Sequence, residues 1–179
     1  SYISIVEGRE KRFIRGALSK YLSPVVVDEL VADPSRLKLG GEKRHLSILF
    51  SDLAGFTTLS ESMEPEKLVG LLNEYLDDMA DIVMSEAGTL DKYIGDAVMA
   101  LYGAPTALPD HAVRACRTAL RMQRRLAQLN GRWREQDYPE LSMRIGVNTG
   151  WPVVGNIGGD KRFDYTALGD AVNLAARLE

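Results

Sequence analysis

An α+β fold of β-α-β-β-α-β order is what the sequence predicts, and three observations carry that expectation. A strand-like apolar run, HLSILFSD (45–52), precedes a long amphipathic stretch. A hairpin pattern, TLDKYIGDAVMALYG (89–103), follows it directly. A second long amphipathic stretch then leads into another extended run, LSMRIGVNTG (141–150).

In the first run, a period of two places Leu46, Ile48, Phe50 and Asp52 on one face. A carboxylate ending a buried stripe is expensive unless paired, so a positive partner is expected opposite Asp52. Between residues 65 and 88, Leu68, Leu72, Tyr75, Leu76, Met79, Ile82 and Val83 recur at helical spacing. Pro65 suits the first turn and Gly88 the end, while Asp77, Asp78 and Asp81 read as a solvated face. Gly95-Asp96 is a tight-turn signal, and the arm from Ala97 to Tyr102 is apolar on both faces, as in a sheet centre. The second helix is expected to start at Asp110 and stop at Asn130-Gly131. A turn at Asn148-Thr149-Gly150 then suggests a further strand, with Pro152 marking it as an edge or a distorted arm. RFDYTALG (162–169) is short and extended, and DAVNLAARLE (170–179) begins a helix. The order is that of a ferredoxin-like, or palm-like, sandwich with extra strands: a mostly antiparallel sheet with helices on one face.

Residues 1–44 read as a helical arm or linker coupling to an upstream input, and residues 45–179 as the main domain. Ser23 and Pro24 form a helix start within the arm, and Pro34, Gly40 and Gly41 break it. At 179 residues and 45% hydrophobic content, the chain can build one core. A net charge of −3 argues against a nucleic-acid or membrane-surface binder. The single Cys116 excludes an intrachain disulfide framework and is expected as a buried thiol. With no run of about 18 apolar residues and no signal peptide, the sequence suits a soluble, cytoplasmic domain. Arg114, Arg117, Arg121, Arg124 and Arg125 read as a solvated face, lacking the aromatic interleaving of a nucleic-acid tract.

Two acids occupy special positions: Asp52 ends the first strand, and Asp96 lies in the hairpin turn. If those strands are neighbours, the two carboxylates meet at one sheet edge, and a divalent cation would relieve their repulsion. The alternative is a cap-like Asp52 and a turn-capping Asp96. Ala54 and Gly55 let backbone N–H groups approach a phosphate, although no Walker loop is present. Asn173 and Arg177, four apart, share one helix face and suit a sugar oxygen and a phosphate; an exposed helix face is the alternative. Lys92 is an isolated charge in a strand, alternatively a simple edge lysine. His45 and His111 are the only histidines, and His111, beside Asp110, is expected to face solvent. They complete neither a Ser/Cys–His triad nor a His/Cys metal cluster.

FSDLAGFTTLSE, GTLDKYIGDAVMALYGAP, MRIGVNTGWPVVGNIGG and YTALGDAVNLAARLE together resemble the catalytic domain of class III nucleotide cyclases, over about residues 44–179. The resemblance implies that Asp52 and Asp96 hold two Mg²⁺ or Mn²⁺ ions, with the Leu53 carbonyl as a further ligand. It implies a triphosphate on the N–H groups around Gly55, Phe56 and Thr57, and a phosphate contact from Arg144. Lys92 and Thr166 match the pair that selects the purine. Lysine at the first position points to ATP, and threonine at the second to the threonine subgroup of bacterial adenylyl cyclases. Asn173 and Arg177 match the residues that orient the ribose and stabilise the transition state. The implied reaction converts ATP to 3′,5′-cyclic AMP and pyrophosphate in a homodimer with two shared sites. A guanylyl cyclase and a noncatalytic nucleotide-binding dimerisation module are the alternatives. Relatives of this kind continue through further strands bearing another phosphate-contacting lysine, so the chain reads as truncated. Their helical arms often follow an upstream sensor domain, in some cases membrane-anchored.

Overall fold

The computed structural model describes residues 12, 13, 15–19, 23–33, 35 and 38–179. Pro34 and much of the arm's expected helix lie outside the described residues.

The organising strand is β2 (Leu46–Ala54), numbered after a short β1 (Gly40–Lys43). Its residues 46–51 are all buried. Leu49 and Leu53 face one core, while Leu46, Ile48 and Phe50 face a second core on the opposite side. The period of two is therefore real, but both of its stripes are covered. β2 pairs antiparallel with β4 (Ala97–Tyr102) and β5 (Ser142–Gly150), and β3 (Thr89–Ile94) flanks β4. The sheet order β3-β4-β2-β5 is the expected ferredoxin-like arrangement.

After α1 (Pro24–Ala32) and α2 (Phe56–Ser62), the two long helices α3 (Pro65–Ser85) and α4 (His111–Arg134) cover one face of this sheet. α3 buries Leu71, Tyr75, Met79, Ala80, Ile82 and Val83, while Leu72 and Leu76 are only partly covered. α4 does not stop at Asn130-Gly131. The Asn130 side chain turns inward, accepting the Leu141 N–H at 2.9 Å and donating to the Leu141 carbonyl at 2.7 Å, and Trp133 buries one turn further on. The Asp110 carboxylate leaves the helix N–H groups uncapped and pairs with Arg114 at 2.7 Å. Cys116 is exposed, because it lies beside the buried stripe of Ala115, Thr118 and Met122.

Arginines read from the sequence as a solvated face instead fasten α4 to α3. Arg117 and Arg121 reach the two carboxylate oxygens of Glu86, at 3.0 and 2.8 Å, where α3 ends. Arg125 forms a two-pronged bond with Asp78, at 2.9 and 3.0 Å, so that acid is not simply solvated either.

The opposite face holds β6 (Val153–Gly159), β7 (Arg162–Leu168) and α5 (Asp170–Leu178). β5 and β6 do not form the expected hairpin. β5 runs to Gly150, Trp151-Pro152 interrupt it, and β6 pairs with β1 and β7 in a separate antiparallel sheet of order β1-β6-β7. Val154, Ala167, Val172 and Ala175 from this layer close over Leu46, Ile48, Phe50, Met99 and Leu101. Helices thus lie on both faces. Val26 and Val27 of α1 are buried, and β1 extends the β6 edge. Among the described residues, no helix is long and apolar enough to cross a membrane.

Burial pushes the Glu86 carboxyl up, but hydrogen bonds from Arg121 and Arg117 outweigh it and hold the group below its ordinary value. A carboxyl depressed in the folded state supports the fold above its unfolded pKa and loses that support as pH falls through the folded value. Glu86→Ala is expected to destabilise by about 1.5–3 kcal/mol at neutral pH in urea unfolding. The gap from wild type should shrink below about pH 4.5. A gap independent of pH would show that the ion pairs do not supply it.

Candidate active site

The β2–β4 ladder stops at Ser51↔Val98, whereas the β2–β5 ladder runs on to Ala54↔Ser142. The Leu53 N–H, left without a β4 carbonyl, donates to Asp96 Oδ2 at 2.9 Å. Asp96 reaches that position because Gly95-Asp96 alone connect β3 to β4, with Gly95 at φ +66. The strand end and the hairpin turn therefore meet at one edge of the sheet.

Across β2–β5, Asp52 stands opposite Arg144, whose Nη2 donates to Asp52 Oδ2 at 2.5 Å. The sequence pointed to a divalent cation as the positive partner of Asp52; in this structure the charge opposite it is that of Arg144. Glu179, just beyond α5, is the third acid of the cluster. Burial raises the Asp52 pKa, but hydrogen bonds from Asp96, Arg144 and Glu179 carry it below the ordinary range. Burial and the bond with Asp52 push Asp96 up, against the pull of the Leu53 N–H. Burial and the same Asp52 carboxylate also raise Glu179.

Three carboxyl groups with one guanidinium leave negative charge that this edge does not neutralise. The donor set fits a divalent cation of the Mg²⁺ or Mn²⁺ type, which takes one or two carboxylates, a backbone carbonyl such as that of Leu53, water and substrate phosphate. Among the described residues, no three His, Cys, Asp or Glu side chains form an all-protein cage. Next along the chain, Gly55 caps α2 at φ +77, a left-handed conformation suited to glycine. The first-turn N–H groups, including those of Phe56 and Thr57, have no helical acceptor.

A second cluster joins the edge strand β3 to β7. Thr166 Oγ1 donates to Asp91 Oδ2 at 2.5 Å. Lys92 Nζ lies 3.5 Å from Asp91 Oδ1 and 3.6 Å from Asp164 Oδ2. Lys92 and Thr166, paired from the sequence, are thus neighbours through Asp91. Burial raises the Asp91 pKa, partly offset by Thr166 and Lys92.

Asn173 and Arg177 are exposed on α5, with Arg177 3.7 Å from Asp170. The helix lies directly on β5: a Cβ on Gly146 would stand 2.1 Å from the Ala175 carbonyl oxygen and 2.5 Å from the Glu179 nitrogen. Asn148 Nδ2 donates to the Ala171 carbonyl at 2.9 Å. Among the described residues, no hydrogen bond or ion pair joins the Asp52–Asp96 cluster to Lys92, Thr166, Asn173 or Arg177.

Sequence reasoning passed over Asp91, Asp164 and Glu179. Asp91 directly precedes Lys92, and an acid beside an isolated strand lysine is the signal that was available. His111 also differs from expectation. It is half-buried, and its Nδ1 lies 2.8 Å from Ser47 Oγ, which also bonds Thr149 Oγ1 at 2.6 Å. Burial, and then His45, lowers its pKa. The neighbouring Asp110 is engaged by Arg114, so no triad forms.

A sequence profile of the adenylate and guanylate cyclase catalytic domain matches residues 41–179. The chain belongs to that family. It is 42% identical over 137 residues to Adenylate cyclase 1 of Rhizobium meliloti (strain 1021), a match covering 76% of this chain and 21% of that protein. The adenylyl cyclase CyaB from P. aeruginosa has a similar structure, with a TM-score of 0.76 and 43% identity over 78% of this chain and 73% of that one. The guanylyl cyclase Cya2 is comparable, with a TM-score of 0.74 and 44% identity over 78% of this chain and 71% of that one. The chain spans less than a third of the length of the curated relatives it matches.

Gly146→Ala is expected to push α5 from β5 and destabilise by about 1–3 kcal/mol in urea unfolding. Wild-type stability in this variant would mean that the close approach is not needed.

Proposed function

We propose that this domain is an adenylyl cyclase, converting ATP to 3′,5′-cyclic AMP and pyrophosphate. The observation that carries the reading is the meeting of Asp52 and Asp96 through the Leu53 N–H, an acidic edge suited to a metal-bound triphosphate. The ribose 3′-oxygen forms a bond to the α-phosphorus as the bond to the pyrophosphate oxygen breaks. Two Mg²⁺ or Mn²⁺ ions, held by Asp52, Asp96 and the Leu53 carbonyl, would supply acidification of the hydroxyl and neutralisation of phosphate charge.

The remaining work falls to this chain's own groups. Backbone N–H groups at Gly55, Phe56 and Thr57 hold phosphate oxygens. Arg144, adjacent to the acids, is within the same edge to contact phosphate. Asn173 orients the ribose, and Arg177 offsets charge developing at the α-phosphate. Lys92 donates to adenine N1, a position where guanine carries a proton and offers no acceptor. A charge-assisted hydrogen bond is worth about 1.5–3 kcal/mol, and a mismatched partner adds to the discrimination.

In this reading the site is shared. One copy supplies Asp52 and Asp96, and the other supplies Lys92, Thr166, Asn173 and Arg177. The lack of a bond between the two clusters supports this, as do the exposed apolar side chains Ile94, Leu168, Leu174 and Leu178, which flank them in sequence. A C2 dimer then carries two equivalent sites. Residues 1–44 serve as an arm that couples residues 45–179, a cytoplasmic catalytic domain, to an upstream sensor.

Cyclase assays with Mn²⁺ should give cyclic AMP from ATP in large excess over cyclic GMP from GTP. Dominant cyclic GMP would favour the guanylyl alternative suggested by the likeness to Cya2. Failure of a chain extended beyond Glu179 to make either product would favour a noncatalytic nucleotide-binding module. Asp52→Ala and Arg177→Ala should each abolish activity, and mixing the two variants should restore up to about a quarter of it, from one intact site in each mixed dimer. Demonstrated mixed dimers without recovery would refute the shared site.

A further inference from the structure

Asp91 breaks the regular ladder of β3. Leu90 faces Ala100 and Lys92 faces Met99, so Asp91 is an extra residue in a bulge. In an unbroken strand, Asp91 and Lys92 would point to opposite faces. A bulge re-aims one of them. Here both side chains come within reach of β7, Asp91 at Thr166 and Lys92 at Asp164. The Asp91 side chain is 0% exposed. Its Oδ2 takes the Thr166 proton, and its Oδ1 receives no hydrogen bond.

A threonine hydroxyl has one proton to give and lone pairs to receive. Donation to a carboxylate uses that proton. What Thr166 Oγ1 can still offer a ligand is acceptor capacity alone. Lys92 is the converse, a donor with no acceptor. It stands at ion-pair distance from Asp91 and Asp164, farther than a hydrogen bond from either oxygen, so its N–H groups remain available to a base. The Watson–Crick edge of adenine presents an acceptor at N1 and a donor at the N6 amino group. Guanine reverses both, with an N1 proton and an O6 acceptor.

We propose that Asp91 is a specificity-positioning residue: by taking the Thr166 proton, it presents Thr166 to the purine solely as an acceptor and so admits adenine and rejects guanine. The inference rests on the adenylyl cyclase reading and deepens it. A threonine free to rotate could donate to guanine O6 as readily as it accepts from adenine N6. Asp91 removes that choice, and the bulge places the carboxylate where it can do so. A guanine in the same position would set its N1 proton against an ammonium and O6 against a lone pair, leaving buried polar groups unpaired.

The test compares wild type, Asp91→Asn, Asp91→Asn/Thr166→Asp, Thr166→Ser and Thr166→Val. Two quantities are measured: the ratio of kcat/KM for ATP to that for GTP, and the ratio of the Kd for 3′-deoxy-GTP to that for 3′-deoxy-ATP, analogues which bind but cannot cyclise. An asparagine amide can donate to Thr166 and turn its proton outward. Asp91→Asn should therefore lower both ratios at least about tenfold, mainly through KM and Kd. A carboxylate at position 166 accepts without help, so the double variant should regain adenine preference; a merely structural role for Asp91 gives no such rescue. An Asp91→Asn protein that keeps its ratios within about twofold of wild type, or a double variant without recovery, overturns the proposal. Should circular dichroism show Asp91→Asn unfolded, the Thr166 variants decide. Serine should keep the preference and valine lose it, and equal ratios would overturn the inference. A wild-type protein that prefers GTP, or binds neither analogue, overturns the cyclase reading itself, an outcome distinct from failure of the Asp91 substitution alone.

Discussion

One backbone N–H, that of Leu53, holds the acidic edge together. The β4 strand has turned away at that point, and the vacant rung is filled by the carboxylate of Asp96 rather than by a carbonyl. A hydrogen bond to a charged acceptor contributes about 1.5–3 kcal/mol, which offsets part of the repulsion between Asp96 and Asp52. Arg144, opposite in register, supplies a further opposing charge. The remaining tension shows in Asp96 and Glu179, both harder to ionise than ordinary carboxyls. The edge is thus built rigidly enough to keep like charges together and is incompletely neutralised, which is the condition a cation and a phosphate can complete.

That edge is positioned by a strand with no solvent face. β2 is covered by α3 and α4 on one side and by the β6–β7 layer with α5 on the other. A one-residue slip of β2 would exchange its two apolar stripes and also move Asp52 away from the α5 side. The register is further tied at both ends, by Ser47 through His111 and Thr149, and by Asp52 through Arg144. Close approach at Gly146 sets how near α5, with Asn173 and Arg177, comes to β5, the strand paired with β2.

The sheet order and both long helices were legible because periodicity reports burial directly, and the Gly95-Asp96 turn was legible because two residues leave little conformational choice. The acidic pair followed from those two facts. Pairing partners were harder. Nothing in GVNTGWPVVGN says that the second arm leaves for another sheet, since that depends on β1, distant in sequence. Asn130-Gly131 carries a stop signal that tertiary contacts of Asn130 and Trp133 override. Cys116 and the arginines of α4 were misjudged because a helical wheel shows which side a residue occupies, not what stands opposite it. Glu86 and Asp78 come from another helix. In the site, Lys92 and Thr166 were found by resemblance to a family pattern, whereas Asp91 is placed by a bulge that has no sequence signature here.

The three-stranded ladder β1-β6-β7 has a mechanical corollary. Gly40–Lys43 are hydrogen-bonded to β6, and β6 is hydrogen-bonded to Arg162–Leu168, the segment containing Thr166. A pull applied to the chain at Gly40 would meet two rows of interstrand bonds, which resist shear collectively. Thr166, proposed above to read the base, lies on the far strand of that ladder, two strands from Gly40–Lys43.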